Sequence, residues 1–254
     1  MTSSIETFGG ALMDGLPKLG IIAAYAAAPG GELARLASPR SSAALVANAF
    51  GFFLEAPRRL ALPRPALAPG GARSVALEVE MRLPWTRGRH PWLDVAIETA
   101  DLLIGIEAKR FEPFDARQPP QFSKAYDRNV WGSAMGPYQA MRDQLRAGRP
   151  FRRLDACQLV KHAFGLSHEA HRRDLKPVLL YLYAEPAAFP GGPPIAAEEH
   201  ARHRAELAGF AADVNDPARE VAFESLTWRE LLAHWAIDPG LAAHAGAIAE
   251  RFDV

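Results

Sequence analysis

Two acidic residues and a lysine stand in neighbouring strand-like segments. Asp94 lies in one segment, and Glu107 and Lys109 lie two residues apart in the next. Carboxylate oxygens are the ligands that Mg²⁺ and Mn²⁺ prefer in proteins. A bound ion of this kind lowers the pKa of its water and neutralises charge on a phosphate. A lysine beside such a pair can position the water, help to deprotonate it or stabilise developing negative charge.

Apolar and polar residues alternate in three consecutive segments that carry these side chains. Such alternation predicts strands with one face in a core and the other face polar. The acids and the lysine fall on the polar side. The three predicted strands cover residues 74–83, 92–98 and 103–110.

Turn lengths predict which acids face each other. A two-residue turn at 100–101 places Asp94 opposite Glu107, and a turn at 86–88 places Glu80 opposite Asp94. The lysine emerges on the same face, because side chains two residues apart on a strand point the same way. We therefore expect three carboxylates and one ammonium group on one patch. Directly opposed carboxylates destabilise a sheet, and a divalent cation would remove that cost.

The acids and the lysine resemble the signature of the PD-(D/E)XK, or restriction-endonuclease-like, nuclease superfamily. The motif reads Pro91-Trp92-Leu93-Asp94 and then Ile106-Glu107-Ala108-Lys109. Two residues separate the proline from the acid, a departure that the superfamily commonly tolerates. The similarity is to an uncharacterised restriction-endonuclease-like branch and covers roughly residues 40 to 185. It also includes Ser41-Ser42, Asn48-Ala49-Phe50-Gly51, the strand of Glu78 and Glu80, residues 107–114 and Gln158-Leu159-Val160-Lys161.

The resemblance implies a role for each of five residues. Asp94 and Glu107 would hold Mg²⁺ or Mn²⁺, and Lys109 would be the catalytic lysine. Glu80 is the best match to an acid on the preceding strand that would complete the metal site. Gln158 corresponds to a glutamine that some branches place on the helix after the core hairpin. The implied activity is metal-dependent hydrolysis of phosphodiester bonds in DNA.

The remaining elements predict a mixed α/β sheet flanked by helices. Three sequential strands are most simply an antiparallel meander, and the buried strand at 176–184 joins it across a helical crossover. A short strand is predicted at 221–226. Helices are predicted at 43–55 with Ser41 or Ser42 as the cap, at 137–148, at 154–164 with Gly165 as the stop, at 196–210 and at 228–235. We expect a helical extension at 1–40 and one nuclease-like domain at 41–254.

Composition limits the class of protein and its surroundings. Cys157 is the single cysteine of the 254 residues, which excludes an internal disulfide framework and favours the cytoplasm. No uncharged apolar stretch reaches the roughly 18 residues of a membrane span, so we expect no membrane partner. The formal net charge is zero, so contacts to a nucleic acid would depend on local basic runs at 82–89 and 142–153.

Several alternatives share the predicted fold. The chain could be a binding module that has lost the reaction, although the retained Lys109 argues against that. It could also be a structure-specific resolvase or an RNA nuclease. The sequence does not decide whether the chain would act as an endonuclease or an exonuclease. It also leaves open whether the chain forms a homodimer.

Overall fold

One mixed sheet forms the centre of the molecule. The computed structural model describes residues 8–29, 31–63, 71–85, 88–115 and 121–254. Within these ranges five strands lie in chain order: β1 (Ser74–Glu80), β2 (Trp92–Glu98), β3 (Leu102–Lys109), β4 (Lys176–Tyr183) and β5 (Ala222–Thr227). The first three are antiparallel, and β3, β4 and β5 are parallel. The predicted α/β fold class, with its meander and crossover strands, is confirmed.

Helices cover both faces of the sheet. One apolar core lies between the sheet and α1 (Lys18–Ala27), α3 (Ser42–Gly51), α7 (Trp228–Ile237) and α8 (Ala242–Phe252). A second core lies under α4 (Gly136–Arg146), α5 (Ala156–Arg173) and α6 (Ala197–Val214). The short α2 (Glu32–Arg35) follows α1. This layering is the usual way in which a sheet that is apolar on both faces removes those faces from water.

Local signals located most elements within a few residues. Ser41 is the N-cap of α3, and its side chain accepts a hydrogen bond from Ala43 N at 3.1 Å. The buried strand predicted at 176–184 is β4, which pairs in parallel with β3. The final helix, α8, was not predicted from the sequence. Among the described residues, no helix has the length and apolarity needed to cross a membrane.

Gly165 does not end a helix, contrary to the sequence prediction. It lies inside α5, which continues to Arg173 and is followed by Asp174 in the left-handed conformation, with φ of 54°. A Cβ atom at position 165 would lie 2.7 Å from Cβ of Met81 and 2.8 Å from its carbonyl oxygen. Glycine therefore allows α5 to approach the end of β1 closely, and this packing reason is invisible in the local sequence.

We expect Gly165→Ala to lower the free energy of unfolding by about 1–3 kcal/mol, because the methyl group would overlap Met81. Gly209→Ala is the matched control in α6, since a Cβ there would meet nothing within 4 Å. The control should gain about 0.5–1 kcal/mol from its better helix propensity. Urea unfolding of both variants measures the difference. Equal effects at the two positions would contradict the close-packing explanation.

Candidate functional site

The β2–β3 hairpin brings the two predicted acids together. The ladder pairs Val95 with Ile106, so the next position places Asp94 beside Glu107, in the predicted register. Oδ2 of Asp94 accepts a hydrogen bond from the backbone N–H of Ala108 at 2.6 Å. This bond fixes Asp94 to the strand that carries Glu107.

The two carboxylates disfavour each other's ionisation. Glu107 is buried and Asp94 is half-buried. Burial, and then the charge of Glu107, raises the pKa of Asp94 well above its ordinary value. Burial also raises the pKa of Glu107, although the nearby Lys109 opposes that shift. Without an added cation, therefore, ionisation of both carboxylates is unfavourable.

Lys109 is the cation of this cluster. Its Nζ donates a hydrogen bond to Oε1 of Glu107 in a largely buried ion pair. Burial alone would lower the pKa of Lys109, but the charges of Glu107, Glu112 and Asp94 outweigh it and raise the pKa above its ordinary value. The side chain is therefore an ammonium group at neutral pH, suited to stabilising negative charge.

The third acid of the cluster is Glu78 rather than Glu80. In β1, Leu77 pairs with Val95 and Val79 pairs with Leu93, which places Glu78 opposite Asp94. Its backbone has a φ of +50°, a strained value for a glutamate. Burial, and then the charge of Asp94, raises the pKa of Glu78 to about 9.

The predicted register of Glu80 is wrong by two residues. Glu80 pairs with Trp92, and its side chain forms an exposed ion pair with Arg82 at 3.3 Å. The error came from the assumed turn at 86–88, of which Thr86 and Arg87 lie outside the described residues. The length of a long connection does not determine the register of the strands that it joins. The turn was assumed to be centred one residue too far along the chain, which moved the predicted partner of Asp94 by two residues, from Glu78 to Glu80.

Helix α5 contributes a histidine that was not among the site residues predicted from the sequence. His162 is buried, and its Nε2 lies 3.5 Å from Oε2 of Glu107. Burial, and then the charge of Lys109, lowers the pKa of His162 to about 3, so the ring is neutral. Gln158 lies one turn earlier and is half-buried, and its backbone N–H is bonded to the N-cap Asp155 at 2.9 Å. A direct role for the Gln158 side chain stays a prediction.

Glu112 links the end of β3 to the start of α3. Its Oε1 accepts from the backbone N–H of Ser42 at 3.1 Å, and its Oε2 accepts from that of Arg110 at 2.7 Å. Burial opposes ionisation, but Lys109 and the backbone donors outweigh it and lower the pKa of Glu112. The residue is therefore an ionised anchor beside the cluster. In the sequence, Glu112 was marked only by its position in the segment 107–114, which resembles the family and follows Lys109.

The family of the chain follows from comparison with known proteins. A family model described as "Restriction Endonuclease associating with ARP" matches residues 32–252, which include the whole acidic cluster and the lysine. The chain belongs to this restriction-endonuclease family. No curated protein and no solved structure gave a significant match. Membership agrees with the resemblance seen in the sequence and with the five-stranded sheet.

For a member of this family, the donor set suits a hard divalent cation. Asp94 and Glu107 could supply oxygen ligands, and Oε1 of Glu78 is buried with no hydrogen-bond partner in the described part of the chain. Across those same residues, no group of three or more His, Cys, Asp or Glu side chains is arranged to hold an ion. Two carboxylates are nevertheless enough for Mg²⁺, which keeps several positions for water and substrate phosphate.

The N-terminal segment of the chain lies close to the acidic cluster. Glu32 of α2 forms an ion pair with Arg35 at 3.0 Å, and the charge of Glu32 adds to those that raise the pKa of Glu78. In α1, the hydroxyl of the buried Tyr25 donates to Ala43 O at 3.0 Å. Residues before position 40 therefore pack beside the site, and the division at that residue stays a prediction.

We expect Glu78→Gln to stabilise the metal-free protein at pH 8 by at least about 1 kcal/mol. The pKa of Glu78 is about 9 in the folded state against 4.5 ordinarily, so the folded state holds the extra proton between these values. Stability conferred by this group is thus lost as the pH rises through that window. Urea unfolding in EDTA from pH 5 to 9 should show a shallower decline in the variant.

Glu80→Gln is the control for this measurement, because the Glu80 side chain is one third exposed and lies in a surface ion pair. Its unfolding free energy should stay within about 0.5 kcal/mol of the wild type at every pH. A Glu78→Gln protein that is no more stable than the wild type at pH 8 would show that folding does not raise the pKa of Glu78.

Proposed function

We propose that this chain is a divalent-metal-dependent nuclease that hydrolyses phosphodiester bonds in DNA. The observation that carries the proposal is the Asp94–Glu107 pair, in which Glu107 is buried and bonded to Lys109, at one end of the β2–β3 hairpin. Three such groups rarely share a buried patch without a function, because their desolvation is costly. Membership in a restriction-endonuclease family supports the same reaction.

Asp94 and Glu107 would hold the ion, with Glu78 as a further oxygen donor in the same cluster. Bound there, Mg²⁺ or Mn²⁺ supplies a water of lowered pKa and positive charge at the scissile phosphate. The mutual repulsion of the carboxylates falls when a cation binds, so ion binding should stabilise the fold.

The protein's own groups position the reactants. Hydrolysis forms a bond from the water oxygen to phosphorus and breaks the bond from phosphorus to the leaving oxygen, which takes up a proton. Lys109, as an ammonium group, would donate a hydrogen bond to a phosphate oxygen as negative charge develops. His162 is a neutral neighbour of Glu107, and Ala108 holds Asp94 through its backbone N–H.

The proposal that DNA is the substrate rests on the family description and not on an array of basic side chains. Four of the five arginines between residues 142 and 153 form ion pairs within the chain: Arg142 with Asp143, Arg146 with Asp127, Arg149 with Asp213 and Arg153 with Glu199. This predicted basic run is therefore largely neutralised within the protein. Contacts to the phosphate backbone would come from other residues, or from these after their ion pairs rearrange.

A cleavage assay tests this proposal directly. Purified protein would be incubated with supercoiled, linear and branched DNA and with single-stranded RNA, in EDTA, Mg²⁺ or Mn²⁺. We expect DNA cleavage only with metal, and none from a Glu107→Gln protein prepared in parallel. Cleavage of RNA alone would overturn DNA as the substrate. Nucleic-acid binding without cleavage under all conditions would favour a binding module.

A further inference from the structure

A cleft whose lining does not include the acidic cluster lies where several separate parts of the chain meet. It has a volume of ≈ 510 Å³, within the usual range for small-molecule sites of about 300–1,000 Å³. Its walls come from the N-terminal segment and residues 36–39, from Arg110 just after β3, and from Arg251 and Phe252 at the end of α8. The acidic cluster, Lys109 and His162 do not line it.

Arg110 presents a guanidinium with unused hydrogen-bonding capacity. The side chain is only 8% exposed. Nη1 donates to Pro39 O at 3.1 Å and Nη2 donates to Phe252 O, while Nε is buried with no partner among the described residues. A guanidinium has five N–H donors. Nε and one hydrogen on each Nη therefore remain. Nε is shielded from the cleft, so the remaining hydrogen on each Nη would supply the two bonds to a phosphate.

Arg251, at the end of α8, supplies a second cation to the lining. Its Nη2 donates to Ala11 O at 3.0 Å and to Gly10 O at 3.2 Å, so these bonds leave its positive charge uncompensated. Among the described residues that line the cleft there is no aspartate or glutamate. The charges of Asp253 and Glu112 act on Arg110 and oppose the lowering of its pKa by burial, although neither acid lines the cleft. Two arginines without a lining carboxylate favour an anionic ligand.

Apolar side chains lie beside the two arginines in the lining. Leu36, Pro39, Pro190 and Phe252 form this part of the wall. The guanidinium of Arg110 already lies 5.4 Å from the ring of Phe252, so cationic and aromatic surfaces are adjacent. A phosphate monoester carries a charge of about −1.5 to −2 at pH 7. Its charge matches the two arginines, and a planar group attached to it matches the apolar wall.

We propose that this cleft binds a nucleoside monophosphate, with the phosphate on Arg110 and Arg251 and the base against the apolar wall. The site is separate from the acidic cluster and needs no metal ion. Ligand binding in this cleft therefore does not depend on the nuclease activity. Because Arg110 directly follows Lys109, an occupant of the cleft adjoins the strand that carries the lysine.

Isothermal titration in EDTA tests the site, since EDTA removes any ion that could hold phosphate at the acidic cluster. The probes are AMP, GMP, inorganic phosphate, adenosine and guanosine. We expect a nucleoside monophosphate to bind wild type at least about tenfold more tightly than inorganic phosphate or the nucleosides. Arg251→Ala should weaken that binding by about tenfold or more, the size expected for losing one charge-assisted contact.

Arg59→Ala is the matched control. Arg59 is also exposed, donates to the backbone carbonyl of Gly240 and lies over a phenylalanine ring, that of Phe52, at 4.9 Å, but it does not line the cleft. Arg110→Lys gives a second variant that keeps the charge and loses the two-bond geometry. Weakened binding in the cleft variants and unchanged binding in the control supports the site. Absent binding in wild type, equal losses in all variants, or equal affinity for inorganic phosphate overturns it.

Discussion

Lys109→Ala should lower metal-dependent cleavage by at least about a hundredfold, the lower end of a general acid–base contribution. The Nζ of this lysine contacts Glu107, so it lies within reach of a water or a phosphate at the carboxylate pair. Affinity for DNA should fall only slightly, because several phosphate contacts share it. Single-turnover cleavage and binding of a labelled duplex in Ca²⁺ would separate the two effects.

Lys176→Ala is the control for the loss of a lysine from a strand end. Lys176 is exposed at the start of β4 and pairs with Leu102, at the far end of β3 from Lys109. Its cleavage rate should match that of the wild type. If Lys109→Ala cleaves as fast as the wild type, the lysine is a structural partner of Glu107 and the catalytic assignment fails.

Mg²⁺ or Mn²⁺ should raise the thermal unfolding temperature of the wild type, because the ion would bind only the folded acidic pair. At about a hundred times the dissociation constant the gain is about 2.7 kcal/mol, or roughly 5–10 °C for a chain of this size. A double Asp94→Asn, Glu107→Gln protein should show no such shift.

The third acid can be assigned by the same measurement. Glu80→Gln should keep the full metal response, whereas Glu78→Gln should reduce it, because Glu78 and not Glu80 lies opposite Asp94. An undiminished shift in the double variant would place the ion elsewhere in the molecule. A loss of response in Glu80→Gln alone would restore the register predicted from the sequence.

The sequence predicted the hairpin that carries the site because its turn is short. A turn of two residues permits one register, and the backbone N–H of Thr99 bonds to Leu102 O at 3.0 Å across it. Alternation then placed Lys109 on the face of Glu107. The buried strand β4 was equally clear, because a continuous apolar run followed a helix.

The sequence did not predict which groups join that hairpin from a distance. The connection from β1 to β2 is long, so its length could not fix the partner of Asp94, and Glu80 was named in place of Glu78. His162 and Glu32 are separated from Glu107 by more than fifty residues of chain, and no local pattern marks them. Their proximity depends on helix packing, to which Gly165 contributes by removing a side chain.

By itself, then, the sequence determined the α/β class, the register of Asp94 against Glu107 and the side of the sheet that holds Lys109. These follow from period-two alternation and one tight turn, which are properties of adjacent residues. The tertiary structure decided the third acid, the buried histidine and the cleft of Arg110 and Arg251. Those arrangements depend on contacts between segments far apart in the chain, whose geometry is set by packing over the whole sheet rather than by local spacing.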